Sequence, residues 1–317
     1  MDRDRIVVAF LALALALAPA AVARAGDPAV ARLDCDNVDA AAVRDVLSHA
    51  PAPRVMLVAG SLPFVTMEPF ARFLVAMGYP EDRIRDPRSG ALSISGYEDS
   101  VKLAGMVAWY YEHDGMAPVL IGHSRGGMLV LRTLHELAGA FHDSVPVFDP
   151  DRDESLARTT IVDPYTGRTR PATGVQVPYA AAIATGKLPR LLQGQWSMLS
   201  RLRVVPDTVR DFTGFRIEGD LIAGDFGDDP YVAQGSAHVR NVTLPSGYSH
   251  IEAARTAHLA ADPVTRAWID AWRPGSTETP PAGHDTTNIL HAADIWYGVK
   301  RAWCRSAQAR AQRGGAS

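Results

Sequence analysis

The sequence predicts an α/β fold in which a mostly parallel sheet carries helices on both faces. Two observations predict it. Short apolar runs typical of buried strands alternate with segments in which apolar residues have helical spacing, and glycines stand where several of these segments end. The composition agrees with a folded chain, because 47% of the 317 residues are hydrophobic and 21% are charged. A single large domain of this size is common among α/β proteins.

The first half of the chain shows this alternation most clearly. A run of Val, Met and Leu over 54–60 ends at a glycine and predicts a buried strand. Apolar side chains then recur every three or four residues over 68–77 and 99–111, which predicts two helices. The run 118–121 predicts a second buried strand, and the apolar segment 126–137 predicts a helix behind it. Strand and helix therefore alternate as they do in a parallel sheet.

The second half is less regular before the pattern returns. The segment 146–202 begins with many Asp, Arg, Thr and Pro residues and continues with partly helical spacing, so we predict a cap-like insertion there. Strands are predicted at 214–218 and 238–244, followed by a helix over 263–272. A linker rich in Pro, Gly and Thr opens the segment 273–317, which we predict to be a C-terminal extension of the same domain that ends in an amphipathic helix.

Residues 1–25 are predicted to be a secretory signal peptide. Residues 6–18 form an apolar run that would rise about 20 Å as a helix, short of the roughly 30 Å hydrocarbon core of a bilayer. The small-x-small sequence Ala23-Arg24-Ala25 then provides a cleavage site. Acidic residues at the start weaken the signal, and an uncleaved membrane anchor is the alternative. We expect a mature chain of residues 26–317 without a membrane span, secreted or periplasmic in a bacterium.

Cys35 and Cys304 are the two cysteines of the sequence, and they lie near the two ends of the expected mature chain. In an oxidising compartment two cysteines usually pair, so we predict a disulfide between them. The alternative is two separate buried thiols, since a buried free cysteine behaves as a small hydrophobic residue.

Charge and motif content exclude several classes of partner. The net charge is −3 and no basic stripe is present to displace counterions from phosphate, so no nucleic-acid partner is expected. The sequence has no CxxC pair, and its clustered aspartates lack the spacing of a calcium loop. We therefore expect no metal and no cofactor.

The segment Gly122-His-Ser-Arg-Gly126 fits the pattern G-x-S-x-G and lies between a predicted strand and a predicted helix. A serine on so sharp a turn has strained backbone geometry, and glycines two positions to either side remove the clash with neighbouring backbone. The turn raises the Ser124 hydroxyl above the sheet, beside a helix N-terminus whose free N–H groups favour developing negative charge. We interpret Ser124 as a nucleophile, and the alternative is a tight turn without chemistry.

The segment Ile121-Gly-His-Ser-Arg-Gly-Gly127 resembles the nucleophile elbow of the α/β-hydrolase superfamily, in the form found in many lipases and esterases. Val58-Ala-Gly-Ser61 resembles the turn that carries the oxyanion loop in that superfamily, with Ala59 where histidine is usual. The resemblance covers most of residues 50–272 and implies an α/β-hydrolase fold. The elbow is specific to the superfamily and not to any substrate.

The resemblance implies that the acid and the base follow the nucleophile in the order Ser, Asp, His. His250 comes after the last predicted strand and before a helix, where the superfamily has its base; His284, beyond the linker, is the alternative. Asp220 stands at the end of a predicted strand, where the acid is expected, and Asp225 is the alternative.

The oxyanion hole of such an enzyme needs two N–H donors directed at the tetrahedral oxygen. The resemblance implies that one is the amide of Arg125, and that the other belongs to the turn after Val58, at Ser61 or, second, at Leu62. The side chain of Arg125 is not needed for this role and is expected to pack or to form a salt bridge.

Together these residues imply a secreted serine hydrolase that cleaves a small-molecule or lipid-like carboxylic ester through an acyl-enzyme on Ser124. The same residues would serve an acyltransferase or a thioesterase, and a non-catalytic binding protein on this fold is a further alternative. Apolar side chains of the predicted insertion are expected either to line an acyl pocket or to pack as ordinary core. They are Tyr179, Leu188, Leu191, Leu192 and Trp196.

Overall fold

The structure, a computed structural model, describes residues 28–186, 196–224 and 229–314. Within these ranges the strands are β1 (Val55–Val58), β2 (Val119–His123), β3 (Phe148–Asp149), β4 (Glu154–Ser155), β5 (Thr160–Val162), β6 (Thr169–Pro171), β7 (Val177–Ile183), β8 (Val204–Pro206), β9 (Val209–Ile217), β10 (Val232–Gln234) and β11 (His238–Leu244). The α-helices are α1 (Pro28–Ala31), α2 (Ala40–Asp45), α3 (Glu68–Ala76), α4 (Ser100–Asp114), α5 (Arg125–Leu137), α6 (Ala257–Ala261), α7 (Pro263–Ala271) and α8 (Ile289–Gly314).

The central sheet contains five strands in the order β1-β2-β7-β9-β11, and every neighbouring pair is parallel. Strands β1 and β2 are buried at every residue, which explains why their sequences are continuous apolar runs and not alternating ones. The predicted α/β fold with a mostly parallel sheet is confirmed.

Helices cover both faces of the sheet. Because successive side chains of a strand point to opposite faces, Met56 and Leu120 pack in one core with α4 and α5, whereas Leu57 and Ile121 pack in the other with α3 and α8. Two of the helices have a capping aspartate at their N-terminus. The Asp99 carboxylate accepts a hydrogen bond of 2.8 Å from an amide in the first turn of α4, and the Asp262 carboxylate accepts one of 2.8 Å in the first turn of α7.

The direction of strand addition reverses at β1. Ile94 forms a parallel bridge with Val58 on the edge of β1 that faces away from β2, through the bonds Ile94 N–H to Leu57 O (2.7 Å) and Ala59 N–H to Ile94 O (2.9 Å). The chain thus passes from β1 through α3 to one side and returns through α4 to the other. Such a reversal opens a crevice beyond the carboxyl ends of the strands, which is where open α/β sheets bind ligands.

The segment 146–202, predicted to be a cap-like insertion, contains a strand of the central sheet. Strand β7 lies between β2 and β9, so this part of the segment does not form a cap. Its Tyr179 is buried, with its ring against Gly298 of α8, and is a core residue. The run of three alanines at 180–182 has little strand propensity, and burial between two helical layers overrides it.

Other parts of the same segment differ from the central sheet. Strands β3 and β4, and strands β5 and β6, form two small antiparallel pairs. Trp196 begins a short 3₁₀-helix, Trp196–Met198, and its side chain is exposed. Leu188, Leu191 and Leu192 lie outside the described residues.

The C-terminal helix α8 belongs to the larger of the two cores. Trp296 and Trp303 are fully buried in it, and Cys304 forms a disulfide with Cys35, as predicted. Near the disulfide, Arg301 of α8 donates hydrogen bonds to Asp36 (2.6 Å) and to Asp211 of β9 (2.8 Å). It thus joins the helix both to the segment of Cys35 and to the central sheet.

Across the described ranges, no helix combines the length with the apolar composition that crossing a bilayer requires. The predicted signal peptide, residues 1–25, lies outside those ranges.

We predict that the protein from residue 26, denatured without reductant, has no free thiol, and that reduction lowers its free energy of unfolding by about 2–5 kcal/mol. The reason is that the Cys35–Cys304 bond closes a loop across a sequence separation of 269. Thiol titration and denaturant unfolding measure the two effects. A Cys35→Ala/Cys304→Ala variant is the control, because reductant should not change its stability. Two reactive thiols per denatured chain would contradict the prediction.

Candidate active site

Ser124 occupies a strained turn between β2 and α5. Its backbone has φ 55° and ψ −119°, a conformation that non-glycine residues rarely adopt. The neighbouring strand holds it there: the Ser124 amide donates to the carbonyl of Ile183 at the end of β7 (2.8 Å), and the Thr185 hydroxyl donates to the Ser124 carbonyl (3.1 Å). The serine therefore stands above the sheet at the N-terminus of a helix.

Both glycines of the G-x-S-x-G pattern are required by close backbone approach. A Cβ atom on Gly122 would lie 2.3 Å from the carbonyl of Gly126, and a Cβ on Gly126 would lie 2.2 Å from the carbonyl oxygen of Val58. Contacts this short do not occur between real atoms, so any larger residue would force the turn apart. The turn thus fits directly against the end of β1.

The structure brings together the three residues predicted as nucleophile, base and acid. His250 Nε2 lies 2.9 Å from Ser124 Oγ, and His250 Nδ1 lies 2.7 Å from Asp220 Oδ2. All three residues are buried, with 5–7% of their surface exposed. Ser124 follows β2, Asp220 follows β9 and His250 follows β11. Three turns therefore supply the series, all at the edge of the sheet formed by the carboxyl ends of the strands.

Asp220 is held as an oriented carboxylate. Its Oδ1 accepts hydrogen bonds from the amides of Ile222 (3.0 Å) and Ala223 (2.9 Å), which leaves Oδ2 for His250. Burial raises the pKa of Asp220, but the hydrogen bonds from His250 and these amides outweigh it, so the pKa lies below its ordinary value. An ionised Asp220 accepts from Nδ1–H, and this assigns the lone pair of His250 to Nε2, facing the serine hydroxyl.

The alternatives for the acid and the base have other positions. His284 pairs with Asp262 through Nδ1 (2.6 Å) at the start of α7, and both side chains are one-third exposed. Asp225 lies outside the described residues.

His123 is a site residue that the sequence interpretation missed, although it stands inside the motif. Its Nε2 donates to the backbone carbonyl of His250 (2.8 Å). Burial, and then the adjacent His250, lower the pKa of His123 to about 3, so the ring is neutral at neutral pH. The only signal in the sequence was adjacency to Ser124, because the contact spans 127 positions of chain.

The candidate oxyanion donors flank the serine. Arg125 is the first residue of α5, and the turn that holds Ser61 and Leu62 begins at Gly60, where a Cβ would lie 3.4 Å from Ser124 Cβ. The side chain of Arg125 packs, as expected: its guanidinium lies 4.2 Å from the ring centre of Tyr97, and its Nε donates to the carbonyl of Gly96 (2.8 Å).

Exposed apolar side chains surround this edge of the sheet. Phe64, in the turn after β1, is 75% exposed, and Leu221, next to Asp220, is 73% exposed. Leu62, in the same turn as Phe64, and Ile222, next to Leu221, are also exposed, as is Tyr97 after the Ile94 bridge. Single exposed apolar residues are normal on proteins, but several around one buried polar series indicate a surface that meets apolar groups.

Comparison with models of protein families, with curated proteins and with solved structures finds no match to this chain. What the site can do therefore follows from its own residues and distances. A hydroxyl, an imidazole and a carboxylate in one hydrogen-bonded series are the arrangement by which serine nucleophiles are activated on several unrelated folds.

We predict that His123 makes stability depend on pH in the acid range. Its pKa is about 3 in the folded protein, against an ordinary 6.5. Between these two pH values, the unfolded chain binds a proton at this residue that the folded chain does not bind. The contribution is complete above about pH 6.5 and is lost as pH falls toward about 3. Between about pH 7 and pH 4, the wild type should lose more free energy of unfolding than His123→Gln, which keeps a donor for the His250 carbonyl.

Urea unfolding at a series of pH values measures this difference. The free energies of unfolding of both proteins at about pH 8 are the reference, because the imidazole of the wild type is neutral there in the folded and in the unfolded chain. Parallel pH dependences for the wild type and His123→Gln would contradict the prediction.

Proposed function

We propose that this protein is a serine hydrolase that cleaves a carboxylic ester through an acyl-enzyme on Ser124. The observation that carries the proposal is the buried series in which His250 Nε2 lies 2.9 Å from Ser124 Oγ and His250 Nδ1 lies 2.7 Å from Asp220. These distances are within hydrogen-bond reach, as a nucleophile and its general base require.

In the proposed mechanism, His250 takes the hydroxyl proton while Ser124 Oγ attacks the ester carbonyl. The negative charge moves to the carbonyl oxygen, where the amide of Arg125 and an amide of the turn at Ser61 stabilise it. The C–O bond to the alcohol then breaks, and His250 returns the proton to the departing oxygen. Water, deprotonated by His250, attacks the acyl-enzyme and releases the carboxylic acid and free Ser124.

The topology supports placing the chain in the α/β-hydrolase superfamily. The nucleophile follows a central strand at a sharp strand-to-helix turn, beside the point where strand addition reverses. The acid and the base follow later strands, which gives the chain order Ser, Asp, His of that superfamily.

Two further observations bear on substrate and location. The exposed apolar side chains beside the site, Phe64 and Leu221 among them, favour an ester with an apolar acyl or alcohol part. The Cys35–Cys304 disulfide favours an oxidising compartment, in agreement with secretion or export to a periplasm.

We predict that Ser124→Ala and His250→Ala each lose on the order of 10⁴-fold or more in kcat/KM for nitrophenyl esters, because triad members act as a unit. Asp220→Asn should lose on the order of 10²–10⁴-fold, since an amide no longer fixes the tautomer of His250. Labelling by a fluorophosphonate probe should require Ser124 and should follow the same order.

Asp262→Asn is the matched control, because Asp262 also pairs with a histidine, His284, at 2.6 Å, in a partly exposed pair at the start of α7. It should keep wild-type activity. A wild type that neither reacts with the probe nor hydrolyses any ester would leave a binding protein on this fold. A labelled protein that transfers acyl groups to an alcohol faster than to water would be an acyltransferase, and a preference for thioesters would make it a thioesterase.

We predict that Phe64→Ser and Leu221→Ser lower kcat/KM for a decanoate ester about tenfold while changing that for an acetate ester little. Both side chains are at least 73% exposed at the edge that carries Ser124, and contact with a chain methylene contributes up to about 0.8 kcal/mol. A chain-length series of nitrophenyl esters measures the ratio. Val264→Ser, an exposed apolar position on α7, is the control. Equal losses on short and long esters would contradict this role.

A further inference from the structure

Tyr97 makes an unusual set of contacts for an exposed side chain. Its surface is 60% exposed, yet its hydroxyl donates to the carbonyl of Ser61 (3.2 Å), and its ring lies under the guanidinium of Arg125 (4.2 Å). One tyrosine therefore contacts both segments that flank the Ser124 hydroxyl: the turn after β1 and the first residue of α5.

The residue before it, Gly96, contacts the same two segments. Its carbonyl accepts a hydrogen bond from Arg125 Nε (2.8 Å). A Cβ on Gly96 would lie 2.3 Å from the carbonyl oxygen of Ala59 and 2.8 Å from that of Gly60, so residue 96 packs directly against the turn after β1. Residues 96 and 97 thus form a brace between the side chain of Arg125 and that turn.

The brace acts on two successive peptide groups. Gly96 lies against the carbonyl of Gly60, and Tyr97 bonds the carbonyl of Ser61. Because a peptide unit is planar, fixing its carbonyl also fixes the direction of its N–H, here those of Ser61 and Leu62. These are the two amides that could supply the second oxyanion donor.

We propose that Tyr97 and the side chain of Arg125 are positioning residues that hold the second oxyanion donor in register with the first, the amide of Arg125 itself. The proposal rests on the proposed function. Neither side chain is needed to touch the reacting atoms, and both act through the turn at residues 60–62. Their effect is expected in the transition state, where the oxyanion forms, and not in binding of the uncharged ester.

The first test compares Tyr97→Phe with Tyr165→Phe. Tyr165 is the matched control, since it is also exposed and its hydroxyl also donates to a backbone carbonyl, that of Gly115 (3.0 Å), beyond the other end of the sheet. Tyr97→Phe should lower kcat for a nitrophenyl ester about tenfold with KM within about twofold, as loss of positioning costs less than the 10²–10³ of a lost donor. Tyr165→Phe should have the kcat and KM of the wild type. Both variants should have the melting temperature of the wild type.

A trifluoromethyl ketone separates positioning from a general structural effect. It forms a tetrahedral adduct with the serine and carries the oxyanion, so its inhibition constant should rise for Tyr97→Phe by the factor by which kcat/KM falls. Arg125→Lys keeps the positive charge but loses the Nε donor and the flat face over Tyr97, and it should show the same pattern.

The double variant Tyr97→Phe/Arg125→Lys tests whether the two side chains act through one segment. Its loss should be smaller than the product of the two single losses, because either change already frees the same turn.

Three outcomes would overturn the proposal. They are wild-type kcat and ketone inhibition in Tyr97→Phe, a lower kcat with unchanged ketone inhibition, and fully multiplicative losses in the double variant. An active wild type with any of these would overturn this proposal alone. A wild type that is inert to esters and to the fluorophosphonate probe would overturn the proposed function and this proposal with it.

Discussion

The rest of the site depends on the strained backbone of Ser124. A serine with φ 55° persists only where the surroundings over-determine it. Here the Ile183 carbonyl at the end of β7 accepts from the Ser124 N–H, and the Thr185 hydroxyl donates to the Ser124 carbonyl. The glycines beside it bring α5 against the carbonyl ends of β1. Strands β1, β2 and β7 and helix α5 therefore fix the backbone from which the hydroxyl projects.

The parallel sheet turns that fixed point into a site. All five strands run in one direction, so the turns after β2, β9 and β11 meet at one edge and bring residues up to 126 positions apart within hydrogen-bond distance. The turn after β1, which holds Ser61, lies against the same serine, since a Cβ on Gly60 would be 3.4 Å from Ser124 Cβ. The C-terminal helix α8 packs on one face of the same sheet, and the Cys35–Cys304 disulfide joins it to the first part of the described chain.

Neighbouring polar groups make the buried charge of Asp220 tolerable. A carboxylate out of water is costly, and two backbone amides and an imidazole offset that cost. His123, also buried, is neutral instead, and its donor goes to the backbone of His250. The two buried groups show the two solutions that a low-dielectric interior allows: satisfy the charge, or keep the group uncharged.

The sequence by itself determined what depends on local pattern: the first strands and helices, the sharp turn at Ser124, and the short set of residues that could follow it as acid and base. It also left β7 unrecognised, because three alanines look helical until two helical layers bury them. Only the tertiary structure showed that His123 bonds the backbone of His250 and that Tyr97 bonds the backbone of Ser61. It also shows the contacts of Asp220 with His250 and of Cys35 with Cys304, which the sequence had offered beside alternatives. Those contacts join segments far apart in the chain, and distance between segments follows from strand order and packing, which no local spacing encodes.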